Sequence, residues 1–222
     1  MKRFRIALLL SLILLVMGGC SKASKSTFEP KASGLFVTET GTLSEADIVT
    51  YDQSQKGYYE EGELKAYAEE AVKAYNQEKA GLNMAYAEEA GEEQTLPIAI
   101  NQCAIEGGTA TLILDYQTKE DYLAFKEKNT VNGITITGLS FSTVEEAAAD
   151  GSILTQSFIK PDGKAVDIKK VKKKKKAHVL YVEGGAQIQT EGNILFVSEG
   201  VEMIDEYTVK TAEGSTSYII FN

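Results

Sequence analysis

The chain has 222 residues, 43% of them hydrophobic and 25% charged, with 32 acidic against 23 basic side chains. That balance fits one or two globular domains and excludes a disordered or fibrous chain, and its acidity argues against nucleic acid as a partner. Two cysteines and a single histidine rule out a disulfide framework and every catalytic scheme that needs two histidines.

The amino terminus opens on Lys2, Arg3 and Arg5 and then runs apolar from Ile6 to Met17, with Ser11 the one polar residue. This is the plan of a secretory signal peptide, and the run falls short of the roughly 20 apolar residues of a membrane-spanning helix. Val16-Met17-Gly18-Gly19-Cys20 follows. The pattern resembles the lipobox of bacterial lipoproteins, in which small residues let a dedicated peptidase cut just before a cysteine that carries a diacylglyceryl thioether. Met17 stands where that family more often has leucine.

The resemblance implies that residues 1–19 are removed and that Cys20 becomes the lipid-attachment site. The protein would then be exported and held by lipid on the outer face of the bacterial cytoplasmic membrane, or of an outer membrane where one is present. More than one acyl chain makes such an attachment durable. The competing reading is an ordinary cleaved signal with an incidental cysteine. Loss of the leader leaves 20 basic against 32 acidic residues and Cys103 as the one thiol of the folded part.

Residues 20–33 are small and polar, with Lys22, Lys25, Lys31 and one proline, and no apolar periodicity. They are expected to form the lipidated terminus and a flexible tether. Beyond them, 34–150 reads as an α+β domain and 151–222 as a β-rich domain or subdomain. In the first region, Leu64, Tyr67, Ala68, Ala71, Val72 and Tyr75 recur at helical spacing, which predicts an amphipathic helix that Gly81 ends. The acidic stretch from Asn83 to Gln94 is expected to be a loop or a loose helical extension.

Pro97–Glu106 and Thr109–Gln117 read as strands joined at Gly107-Gly108. That turn sets Cys103 opposite Leu112 and Ile105 opposite Ala110, so Cys103 is expected to be a buried, inert thiol rather than a reactive one. Thr118 with Asp121, and Thr143 with Glu146, signal the caps of two shorter helices, the first turning Tyr122 and Phe125 inward. Asn132-Gly133 marks a turn into an alternating strand from Ile134 to Thr137. In the second region, Ser152–Ile159, Ala177–Val182, Asn193–Val197, Glu206–Lys210 and Ser217–Phe221 are expected to be short strands. The fold class is therefore α+β: a mixed or antiparallel sheet with two or three helices, followed by a β-rich meander or small sandwich. Tyr218-Ile219-Ile220-Phe221 is apolar on both alternating faces and should pair into the interior.

No phosphate-binding glycine loop, metal-type His/Cys cluster or zinc-protease motif is present in the sequence. No catalytic, cofactor-binding or metal-ligating set is expected, and the chain is expected not to be an enzyme. His178 alternates with Leu180 and Val182 and reads as a packed or edge histidine. Carboxylates are plentiful, but no pair is spaced as a glycosidase needs. Glu202, Asp205 and Glu206 lack the regular oxygen spacing and central glycine of a calcium loop.

The unusual local feature is Lys169, Lys170, Lys172, Lys173, Lys174, Lys175 and Lys176, with Lys164 nearby, in an otherwise acidic molecule. Such a block projects a positive field into solvent and is the candidate contact for anionic lipid or an anionic wall polymer. The plainer alternative is an exposed loop, or an edge strand whose lysines prevent edge-to-edge pairing. Tyr58 and Tyr59 are the candidate ligand-lining residues, whereas Tyr67 and Tyr75 are expected in the core. The exported part loosely resembles uncharacterised small bacterial lipoproteins that carry a Tyr-Tyr and Glu-Leu-containing helix and a terminal Tyr-Ile-Ile-Phe strand, a likeness that implies no activity.

The sequence thus points to a membrane-anchored binding or envelope-interaction module, with the membrane as partner through its lipid and no cofactor. The alternative is an extracytoplasmic receptor for a small ligand or peptide.

Overall fold

A computed structural model describes residues 25–52, 60–91 and 94–222, so Cys20, Tyr58 and Tyr59 lie outside the described residues. The fold is α+β, as expected, with its strands in two sheets. The first strands, β1 (Gly34–Val37) and β2 (Leu43–Thr50), form a hairpin. Helix α1 (Glu61–Ala80) follows, with Glu61 and Glu63 in its first turn and Lys79 in its last, which suits the helix dipole. Gly81 ends it, its N–H donating to the Asn76 and Gln77 carbonyls. A single turn, α2 (Ala87–Ala90), lies within the stretch left open between loop and helix.

Strands β3 (Ile98–Glu106) and β4 (Thr109–Tyr116) pair in the expected register, Cys103 opposite Leu112 and Ile105 opposite Ala110. Gly107 and Gly108 both take positive φ, 58° and 87°, the backbone that a two-residue turn of matching twist requires. Thr118 caps α3 (Lys119–Lys126), its hydroxyl accepting from the Asp121 N–H, and Thr143 caps α4 (Val144–Ala149) in a capping box with Glu146.

Between these helices, residues 134–137 do not form a ladder strand. Ile134 and Ile136 are nevertheless buried with Thr135 and Thr137 exposed, so the alternation is as expected. Strand β5 (Gly138–Thr143) continues directly from them and pairs with β8 (His178–Glu183). The Thr135 and Thr137 N–H groups still donate to the Gly185 and Glu183 carbonyls at 2.8 and 2.9 Å. Gly184 permits this approach: a Cβ there would stand 2.1 Å from the Thr135 carbonyl oxygen.

The remaining elements are β6 (Phe158–Ile159), β7 (Ala165–Val166), α5 (Ile168–Val171), β9 (Gln187–Thr190), β10 (Ile194–Ser198), β11 (Glu202–Met203), β12 (Thr208–Lys210) and β13 (Thr216–Phe221). Of the strand expected over Ser152–Ile159, only the last two residues pair.

One sheet runs β11-β12-β9-β1-β2-β4-β3, with β1 and β9 parallel and the other pairs antiparallel. The second runs β5-β8-β13-β10-β6-β7 and is antiparallel throughout. The division expected near residue 150 does not coincide with a boundary between sheets, because β1 takes β9 as a neighbour and β5 takes β8. A single core joins Leu35, Leu43, Ile98 and Tyr116 of the first sheet to Leu180, Val182, Ile219 and Phe221 of the second, with Val72, Tyr122 and Phe125 from the helices. A second cluster covers the opposite face of the antiparallel sheet, where Val144, Ala147 and Val171 pack on Val179 and Ile220.

The carboxyl-terminal strand lies between β8 and β10, and Tyr218 to Phe221 are all buried. The expectation that this segment pairs into the interior therefore holds.

Candidate functional sites

The lysine block is not an edge strand: Lys169 and Lys170 lie in a single helical turn, and residues 172–176 form an exposed, turn-rich loop. Asp167 accepts from the Lys169 N–H at 2.7 Å and starts the single turn α5. The Lys174 N–H then donates to the Val171 carbonyl and the Ala177 N–H to the Lys174 carbonyl, at 2.9 and 2.8 Å. Val171 and Ala177 are buried at either end, while Lys169, Lys170 and all five residues from Lys172 to Lys176 are exposed. Two apolar anchors thus hold a compact knuckle that directs seven ammonium groups outward. Among the described residues, the block's one ion pair is Lys175 to Glu145 at 2.9 Å.

His178 follows the knuckle and stacks on Phe141, with ring centroids 5.2 Å apart, and against Phe221. It is a packed histidine, as its strand position suggests. Burial holds its pKa below the ordinary imidazole value, opposed by the charges of Glu39 and Glu191 and reinforced by Lys25. Those three charges mark where the amino-terminal segment joins the fold.

The free tether expected through residue 33 does not extend that far. Lys25 pairs with both Glu39 and Glu191 at 2.9 Å, and the Ser26 N–H and hydroxyl donate to the Glu191 and Thr190 carbonyls. The Gln189 side chain donates to the Thr27 carbonyl, and Phe28 stacks on Phe36 at 5.2 Å. Most of these contacts join residues more than 150 positions apart, so composition alone read this segment as linker.

A second constellation lies inside the first sheet. Leu43, Glu45 and Asp47 alternate along β2, which turns Glu45 and Asp47 toward the helices α1 and α3. Lys126, at the end of α3, lies on the same helical face as Tyr122. Its Nζ stands 3.1 Å from Glu45 Oε2, the two side chains being 7% and 3% exposed. The pair is an ion pair without hydrogen-bond alignment, and the buried Tyr122 hydroxyl likewise lies beside Glu45 without an aligned bond among the described residues. The Tyr116 hydroxyl donates to Glu45 Oε1 in a long contact of 3.4 Å. Burial raises the Glu45 carboxyl above its ordinary range while Lys126 and Tyr122 pull it back, and burial likewise raises Asp47.

Glu45 and Asp47 open onto a pocket of about 190 Å³ walled by Ala68, Val72, Leu114 and Phe125. A neighbouring pocket of about 290 Å³ shares Asp47, Tyr67 and Leu112 with it and reaches Glu60 and Glu63, so the two form one groove beneath α1. A larger depression of about 530 Å³ on the other face of the sheet contains Asp115, but that carboxylate already accepts from Ser44 at 2.6 Å and Asn101 at 2.8 Å.

Tyr67 corrects one expectation. It is 66% exposed at the mouth of the groove, whereas Tyr75 is partly buried against Phe125. Cys103 is half-buried against the core, and desolvation raises its thiol pKa, which disfavours the nucleophilic thiolate. Asp205 accepts from the Tyr207 N–H and Glu206 from Asn193. Among the described residues, no group of three or more His, Cys, Asp or Glu side chains could hold a metal ion, and no helix is long and apolar enough to cross a membrane.

Glu45, Asp47 and Lys126 escaped the sequence reading. The available signal was the inward alternation of Leu43-Glu45-Asp47 and the one-face spacing of Tyr122, Phe125 and Lys126. No protein-family model, no curated protein and no solved structure matches the chain.

Proposed function

We propose that the protein is an exported, lipid-anchored, non-enzymatic binding module that docks its lysine knuckle on an anionic membrane surface. The observation that carries this reading is placement. Lys25, the first described residue, pairs with Glu39 and Glu191, which act on His178, and Lys176 precedes His178 by two residues. The knuckle therefore belongs to the end of the domain nearest the proposed lipid.

Reach supports the same arrangement. Four residues lie between Cys20 and Lys25, and the five steps from one to the other span at most about 18 Å when fully extended. A domain held that close presents its lysines at high effective concentration, and the Debye length of about 8 Å at physiological ionic strength lets those charges act across the gap.

The reading has two tests. In bacteria expressing the full chain, fatty-acid labelling and membrane fractionation should show label that Cys20→Ser abolishes. An unlabelled wild-type chain overturns the anchor. For the knuckle, the Cys20→Ser chain should sediment with phosphatidylglycerol vesicles at low salt and be released by salt. Serine at all five positions from Lys172 to Lys176 should weaken that binding at least tenfold. Undiminished or salt-insensitive binding overturns the docking.

A further inference from the structure

Among the described residues, the groove beneath α1 is open and carries more acidic than basic side chains. Its walls are apolar: Leu64, Ala68 and Val72 from the helix, and Leu112 and Leu114 from β4. Tyr67 and Val49, two of the exposed large hydrophobic residues, stand along it. Its charges are mostly negative. Asp47 is common to both halves and Glu60 and Glu63 line the outer one, while Lys128 at the inner rim faces Glu78 at 3.9 Å. Glu45 at the inner end pairs with Lys126 at 3.1 Å, and Asp47 feels the same ammonium only at longer range, with no ion pair of its own among the described residues.

The inner end also carries polar capacity that the fold leaves unused. Glu45 lines the inner pocket and is 3% exposed, and its Oε2 has the Lys126 ammonium at 3.1 Å but no aligned hydrogen bond among the described residues. A buried acceptor in that state is costly unless something donates to it. Asp47 receives one weak contact, 3.4 Å from the Ser33 hydroxyl. A donor seated between these two carboxylates would satisfy both.

We propose that this groove binds a small organic cation with an apolar body, a primary amine whose ammonium sits on Asp47 within reach of Glu45 and whose hydrocarbon lies along Leu112 and Tyr67. The ammonium offers three donors to the acceptors at the inner end. The exposed Tyr67 ring adds a face over which a cation is attracted. An inner pocket of about 190 Å³ is smaller than the roughly 300–1,000 Å³ of sites for drug-sized ligands, which selects a compact amine. The inference stands apart from lipid anchoring.

The test is titration of the folded protein with 2-phenylethylamine, followed by amide chemical shifts, with 2-phenylethanol as the uncharged counterpart. The amine should produce saturable shifts confined to α1, β2 and β4, and the alcohol should bind at least tenfold more weakly. Asp47→Asn should lose at least tenfold in affinity for the amine, while Asp115→Asn, on the opposite face of the sheet, should lose none. Amide shifts away from the groove report whether each variant retains its fold, and Tyr67→Ala, at an exposed position, provides a second variant expected to weaken binding. Absence of saturable shifts, equal binding of amine and alcohol, or full affinity in Asp47→Asn overturns the proposal.

Discussion

Lys126 and Glu45 face each other at 3.1 Å with both side chains almost wholly removed from water. Taking two charges out of solvent costs several kcal/mol per ion, and their attraction offsets this only while both partners are present. Lys126→Met should therefore cost roughly 3–5 kcal/mol, because it strands Glu45 in an apolar site. Adding Glu45→Gln should recover much of that loss, since the charge that needed a partner is then gone. Urea unfolding of the wild type, both single variants and the double variant checks this. Additive losses would show that the pair is not coupled.

The carboxyl-terminal strand is central rather than peripheral. Tyr218, Ile219, Ile220 and Phe221 are buried between two neighbouring strands, and complete burial of such a side chain contributes about 1.5–3 kcal/mol. Deleting residues 218–222 should thus remove an amount comparable to the entire 5–15 kcal/mol by which domains are stable, and abolish cooperative thermal unfolding. Phe221→Ala alone should cost about 3–5 kcal/mol. A truncated chain that melts at the wild-type temperature would contradict this placement.

These two cases show what was legible in sequence and what was not. The Gly107-Gly108 hairpin, the caps at Thr118 and Thr143 and the buried terminal strand depend on neighbours in sequence or on an unbroken apolar pattern, and the structure places each as expected. The parallel pairing of β1 with β9 and the docking of residues 25–27 on Gln189, Thr190 and Glu191 depend on partners more than 150 residues away, which no local period encodes. Glu45 and Asp47 fall between these cases: their inward alternation was visible, but acidic residues are so rarely buried without a partner that surface was the natural reading. The knuckle was legible in composition and not in shape, because the anchoring by Val171 and Ala177 depends on packing against the second sheet.

His178 gives the fold a defined response to acid. Burial lowers its folded-state pKa, while Glu39 and Glu191 pull it up and Lys25 pushes it down. Above the unfolded-state value of about 6.5 the ring is neutral in both states, and its contribution to stability is fully present. As pH falls from there, the unfolded chain takes the proton first, so stability is lost until the folded-state pKa is passed. His178→Phe keeps a ring between Phe141 and Phe221 and cannot titrate. The gap in urea midpoint between variant and wild type should therefore move in favour of the variant as pH falls from 7.5 to 5. A constant gap would show that His178 does not sense pH.

Asn76 is the buried polar residue that ties α1 to the sheet. Its amide nitrogen donates to the Met84 carbonyl at 2.8 Å and the Ile98 carbonyl at 2.7 Å, and its oxygen accepts from the Ile98 N–H at 3.0 Å. One side chain thus satisfies the start of β3 and the turn that follows the helix, with no exposure to water. Asn76→Ala leaves the Ile98 N–H and two carbonyls without that partner, at about 1–3 kcal/mol for each buried group stranded. Asn76→Asp keeps the shape and the acceptor but loses both donors and places a carboxylate against two carbonyl oxygens. The aspartate should therefore be the more destabilising of the two at pH 7, and the difference should narrow on acidification as its carboxyl takes up a proton. Amide exchange should report the same loss locally, with Ile98 and its neighbours in β3 losing protection first in Asn76→Ala. Retained protection at Ile98 would mean that the strand is held by its pairing with β4 alone.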